Sequence, residues 1–138
     1  MSDEDVRAGH VIVPDAPLVV LVDNGTASSG EILAAALRDN GRARMLGART
    51  YGTGTVLNTF HLSDGSALRL AVREWLTPAG EDAFRVGISP DDLVELPAEG
   101  VALAPGDLVG MTMLELERSQ DVQLLQAVAW LEKDLLDR

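Results

Sequence analysis

Ser28 and Ser29 stand between a valine-rich run and a helix-like apolar pattern, in the stretch Gly25-Thr26-Ala27-Ser28-Ser29-Gly30-Glu31-Ile32-Leu33. Ser28 and Glu31 have the spacing of a capping box, in which the serine hydroxyl accepts from the N3 amide and the glutamate reaches back to the cap's own amide. The same place offers free backbone N–H groups and the positive end of a helix dipole, which favour the negative charge that develops when a nucleophile attacks a carbonyl. One serine at a helix start can therefore be a cap, a nucleophile, or both. As a nucleophile it needs a base within reach, and its sequence neighbours supply none.

Other residue types narrow the chemistry. His10 and His61 are the two side chains with ordinary pKa values near neutrality, and no H-E-x-x-H pairs them for zinc. With no cysteine there is no disulfide, thiolate nucleophile or thiolate metal site. The carboxylates lack calcium-loop spacing, so neither a metal nor an organic cofactor is expected. Gly52-Thr53-Gly54 would have to open a helix to act as a dinucleotide turn, and it precedes a strand-like run instead. Tyr51 and Trp75 are single aromatics and read as core or rim. A net charge of −11 opposes phosphate backbones and anionic lipid, so no nucleic-acid partner is expected. No apolar run reaches the length of a membrane span, and the acidic start Met1-Ser2-Asp3-Glu4-Asp5 lacks the features of a secretory signal.

The elements that must position these groups follow from periodicity. Residues 1–16 read as a tail or edge strand, with one apolar piece at Val11–Val13. Pro17 opens Leu18-Val19-Val20-Leu21-Val22, which reads as a strand buried on both faces. Ile32, Leu33, Ala36 and Leu37 recur at helical spacing, and Asp39-Asn40-Gly41 ends that helix. A short strand is predicted around Met45 and Leu46, then a glycine-punctuated loop. Two strand-like runs flank Ser63-Asp64-Gly65-Ser66, a hairpin signal. Leu93–Leu96 reads as a short strand, 97–118 as a linker loop, and 119–138 as a helix packed on the core and capped by Ser119 or Asp121. The chain of 138 residues is thus one α/β domain, a mixed sheet covered by helices, with its core in 17–96.

Five segments in this order, Gly-Thr-Ala-Ser-Ser-Gly-Glu-Ile, Leu-Arg-Asp-Asn-Gly-Arg-Ala, Leu-Ser-Asp-Gly-Ser-Ala-Leu, Leu-Thr-Pro-Ala-Gly and Gly-Ile-Ser-Pro-Asp, resemble the core of the tail-specific, or C-terminal processing, serine peptidases. The resemblance runs from about Pro17 to Asp92. It implies a crotonase/Clp-protease-like core and hydrolysis of peptide bonds through an acyl-enzyme, without metal or cofactor, on protein or peptide substrates with apolar C-terminal tails. Family members usually work outside the cytoplasm. In the family pattern Ser28 is the nucleophile, and a lysine amine kept neutral by burial is the base. Asp39 matches the family's aspartate at the helix end. About eleven residues of helix, at roughly 1.5 Å each, keep it from touching Ser28, so its role can only be a supporting one. Arg42 or Arg44 is its expected partner if it is not simply solvated.

Two departures qualify the resemblance. The family's lysine lies between two glycines, 25 residues beyond the serine, and here that position is Thr53 in Tyr51-Gly52-Thr53-Gly54. A threonine hydroxyl cannot serve as the base near pH 7, and losing a nucleophile's base costs on the order of 10⁴- to 10⁶-fold in rate. His61, His10, an unidentified base in a threonine-bearing branch, or a Lys-to-Thr change remain open. The family's upstream Asn-Pro-Gly-Gly-like turn, which contributes to the oxyanion hole, is also absent, leaving the amides of Ser28 and Ser29 as oxyanion donors and Gly52, Gly54 and Thr55 as the site loop. The core therefore reads as incomplete on its N-terminal side, and self-association or pairing with a missing N-terminal segment is expected. The alternative is a non-catalytic remnant or binding module that keeps the peptidase fold.

Overall fold

The computed structural model describes residues 15–137. The apolar piece at Val11–Val13 and the candidate base His10 lie outside the described residues. Strand β1, Val19–Val22, leads through a short turn into helix α1, Ser29–Asp39, and then strand β2, Arg44–Gly47. β1 and β2 are parallel, with Val19 opposite Arg44 and Val22 opposite Gly47. Strand β3, Thr55–His61, and strand β4, Ala67–Glu74, form the hairpin expected from Asp64-Gly65. Strand β5, Asp92–Leu93, adds to the far side of β2 in parallel, so the first sheet has the order β1-β2-β5. It has two residues, of which only Leu93 lies in the predicted 93–96 strand.

The parallel and antiparallel pairings occupy separate sheets, with β3 and β4 forming a two-stranded ribbon of their own. Both are built from one α/β chain with helices against the parallel sheet. Helix α2, Met113–Glu117, lies inside the segment expected to be a loop. Thr112 and Glu115 start it with a capping box, a signal as readable as the one at Ser28. Helix α3, Val122–Leu136, packs on β1 and β2. Its cap is Asp121, whose Oδ1 accepts from Leu124 N–H at 2.9 Å while Oδ2 accepts from Leu103 N–H at 2.7 Å. Gln123 Nε2 donates to the Val94 carbonyl at 2.7 Å, so the start of α3 ties down the chain on either side of 97.

The core is small: Val22, Ala34, Ala35, Met45, Ala83 and Ile88 are buried together, with Val20 and Trp75 packed against them. Tyr51, by contrast, is on the rim and exposed. β1 is not buried on both faces. Among the described residues it is an edge strand with no partner on its side away from β2, and Leu21 is 41% exposed. The ribbon shows the same mismatch: Phe60 opposes Leu68, Leu70 and Val72 follow on the same face of β4, and all four stay 43% to 50% exposed.

Candidate active site

The turn from β1 into α1 is built by Asp23. Its Oδ1 accepts from the amides of Gly25 and Thr26 at 3.0 and 2.8 Å and from the Thr26 hydroxyl at 3.0 Å, an Asx-type turn that closes the chain sharply. Ser28 follows with φ 53° and ψ −117°. Ser28 and Arg85 are the two non-glycine residues with positive φ among those described. Such a conformation costs on the order of 1–3 kcal/mol and persists only where the surroundings enforce it. It turns the Ser28 side chain outward at the strand-to-helix junction, as in a nucleophile elbow. Ser28 is exposed, and Glu31 reaches back to its amide as in a capping box.

Glu31 holds this turn, and sequence reasoning gave it only a capping role. Its side chain is completely buried. Oε1 accepts from the Thr50 hydroxyl at 2.6 Å and the Gly52 amide at 2.7 Å; Oε2 accepts from the Ser28 amide at 2.9 Å and the Thr53 amide at 3.0 Å. Burial alone would raise the Glu31 pKa, but the Thr50 hydroxyl and the Gly52, Thr53 and Ser28 amides outweigh it and keep the carboxyl below its ordinary value. The Tyr51 amide adds a bond to the Thr26 carbonyl at 2.9 Å. Position 53 is thereby held beside position 28, both amides bonded to the same oxygen. The far side of the loop is held by 83–87: Arg85 N–H donates to the Gly52 carbonyl at 2.9 Å, and a Cβ on Gly52 would lie 2.6 Å from the Gly87 nitrogen.

The carboxylate also changes the inventory of oxyanion donors. Glu31 occupies the Ser28 amide, so of the two candidates Ser29 remains, the first residue of α1, whose N–H has no intrahelical acceptor. Thr55 begins β3, directly after the loop. His61 ends β3, about 20 Å of strand beyond Thr55 at roughly 3.3 Å per residue. It is exposed at the ribbon's distal end, away from the Ser28 turn.

Asp39 does not reach Ser28 and is not solvated. Its ion-pair partner is its neighbour Arg38, Nε to Oδ1 at 2.7 Å, rather than Arg42 or Arg44, and Oδ2 accepts from the Ala79 amide at 2.9 Å. Arg44 pairs with Asp92 in bidentate fashion, Nε and Nη2 each donating to one carboxylate oxygen, and Arg42 donates to the Ala16 carbonyl. Arg38 also reaches Glu81 at 2.6 Å, so the end of α1 is clamped to 77–81. Burial would raise the Asp39 pKa; Arg38, the Ala79 amide and the Thr77 hydroxyl outweigh it and lower it. A depressed folded pKa contributes stability that is present above the unfolded value and lost as pH falls through the folded one. Asp39→Asn is therefore expected to destabilise the chain at neutral pH and to narrow its gap to the parent as pH falls below the ordinary aspartate value, read as urea midpoints from pH 7 to pH 3. A gap independent of pH would overturn this assignment.

Comparisons with known proteins agree with the architecture. The sequence profile of peptidase family S41 matches residues 2–94. A carboxyl-terminal-processing protease of Synechocystis sp. is 41% identical over 117 residues, covering 83% of this chain and 27% of that protein. A chloroplastic carboxyl-terminal-processing peptidase 3 of Arabidopsis thaliana is 51% identical over 83 residues, 60% of this chain and 16% of that protein. Among solved structures, a photosystem II D1 C-terminal processing protease aligns with a TM-score of 0.55 at 45% identity, over 60% of this chain and 22% of its own. The tricorn protease shares the fold, with a TM-score of 0.60 at 23% identity over 85% of this chain. The chain thus spans about a quarter or less of the length of these relatives.

Proposed function

The chain belongs to peptidase family S41, and on that premise we propose that it carries the nucleophile-bearing part of a tail-specific serine endopeptidase core. Ser28 is the nucleophile, Ser29 N–H an oxyanion donor, and Thr53 occupies the position of the general base, with Gly52, Gly54 and Thr55 lining the site. The substrates are proteins or peptides with apolar C-terminal tails; carboxyl-terminal processing is what the names of the relatives state of those proteins, and the apolar tail is what the sequence resemblance implies. The observation that carries this reading is the backbone of Ser28. A serine needed only to cap α1 would take the ordinary extended cap conformation. Ser28 instead holds a strained, positive-φ one and is exposed.

Attack by Ser28 Oγ on a peptide carbonyl would place the developing oxyanion at the N-terminus of α1, where the Ser29 amide and the helix dipole lie. Among the described residues, neither candidate for removing the proton from Oγ is placed to do so: Thr53 has no basic atom and His61 lies at the distal end of the ribbon. That arrangement favours a second reading, a non-catalytic module that keeps the fold and binds peptides. Cleavage of an unfolded protein by the parent chain and by Ser28→Ala separates the two. Slow cleavage by the parent, on the order of 10⁴-fold below a complete enzyme and lost in Ser28→Ala, is expected from the first reading; equal background in both chains supports the second.

A further inference from the structure

We propose that Glu31 is a positioning residue of this site, whose ionised carboxylate sets the spacing between the nucleophile at 28 and the base position at 53 by accepting from both amides at once. The inference rests on the reading of Ser28 as nucleophile, and it reaches a residue that a cap-only interpretation leaves with a local task. Capping requires one bond from Glu31, to the Ser28 amide. The structure shows four, three of them to a segment 19 to 22 residues away.

The donor set explains why a carboxylate is needed. Two oxygens meet four donors, and each oxygen takes one pair: Thr50 Oγ1–H with Gly52 N–H, and Ser28 N–H with Thr53 N–H. A glutamine of the same shape has a single acceptor oxygen and an NH₂ group. Whichever way it turns, its NH₂ faces either the Gly52 amide or both the Ser28 and Thr53 amides. Thr50 has its own second role, because its Oγ1 accepts from Ile88 N–H at 2.8 Å. The carboxylate is therefore linked through Thr50 to the segment that leads into β5, and through Ser28 to the strained turn. The strain at Ser28 persists because its amide is fixed by the same group that fixes the loop opposite.

All of the groups holding Glu31 ionised are uncharged donors, so its titration should be read directly at the amides it binds. In the ¹⁵N-labelled parent chain, the amides of Ser28, Gly52 and Thr53 are expected to shift with pH together, with one shared midpoint below the ordinary glutamate value. Independent midpoints, or no titration, overturn the proposal without reference to activity. The second arm uses Thr53→Lys as the active background. There Glu31→Gln is expected to lower kcat on the order of 10²-fold with KM little changed, as for a small misplacement of reacting groups. Unchanged kcat, or a loss carried by KM alone, overturns it. If Thr53→Lys is inactive, the nucleophile reading fails separately, and co-titration alone decides whether Glu31 ties positions 28 and 53 together.

Discussion

Thr53→Lys is expected to raise cleavage of an unfolded protein substrate by about 10²- to 10⁴-fold over the parent, the usual contribution of a positioned general base. The surroundings of Thr53 suit the substitution. Its amide is already held by Glu31 Oε2, the oxygen that holds the Ser28 amide, so the backbone at 53 needs no movement. Gly52 and Gly54 on either side are buried and Thr53 itself is partly buried, so a lysine stem would begin in a desolvated environment. Partial burial lowers an ammonium pKa and raises the fraction of neutral amine near pH 7. The gain should vanish in the Ser28→Ala/Thr53→Lys chain. Activity that survives there would mean that cleavage comes from elsewhere, and no gain in a folded Thr53→Lys chain would mean that positions 28 and 53 are not a reacting pair.

A large effect on stability is expected at Gly54. This residue has φ +57°, in the left-handed region, and a Cβ there would overlap the backbone of Phe84. Its carbonyl accepts from the Trp75 amide at 3.0 Å, so the loop cannot move aside without losing the junction to β4. Left-handed strain of about 1–2 kcal/mol for a residue with a Cβ, and overpacking of about 1–3 kcal/mol, both oppose Gly54→Ala. In a chain with so small a buried core, that lowers the thermal midpoint on the order of 10 °C. A shift within about 2 °C, measured by circular dichroism, would show that 84 yields readily. The same variant should also disturb the amides bonded to Glu31, since Gly52 and Thr53 directly precede it in the loop.

Local signals in the sequence carried much of this architecture. The apolar run after Pro17, the change of period at Ser28 and the Asp64-Gly65 turn marked β1, α1 and the hairpin within a few residues of their observed bounds. Helix α2 was missed because five residues show too little periodicity, although Thr112-x-x-Glu115 repeats the spacing of Ser28-x-x-Glu31. The extent of β5 depends on its partner β2, which no local pattern specifies. At the site, the position of Ser28 was legible, whereas the work of Glu31 was not, because three of its four donors belong to a distant loop and two of those are backbone amides. The partner of Asp39 was misjudged for a related reason. Adjacent side chains on a helix ordinarily point apart, and Arg38 meets Asp39 at the end of α1, where Ala79 and Glu81 lie against both.

The ribbon of β3 and β4 packs mainly on itself and joins the rest of the molecule at its base, where Gly54 and Trp75 are bonded. It can therefore open as a separate cooperative unit while the parallel sheet stays closed, at a cost well below that of global unfolding. Because the Gly54–Trp75 bond is shared between the ribbon and the loop that carries Thr53, each such opening loosens one anchor of that loop and leaves it to the bonds from Gly52 and Thr53 to Glu31, from Tyr51 to Thr26 and from Arg85 to Gly52. Two tiers of motion are the expected result, with the loop at the base of the ribbon as the boundary between them.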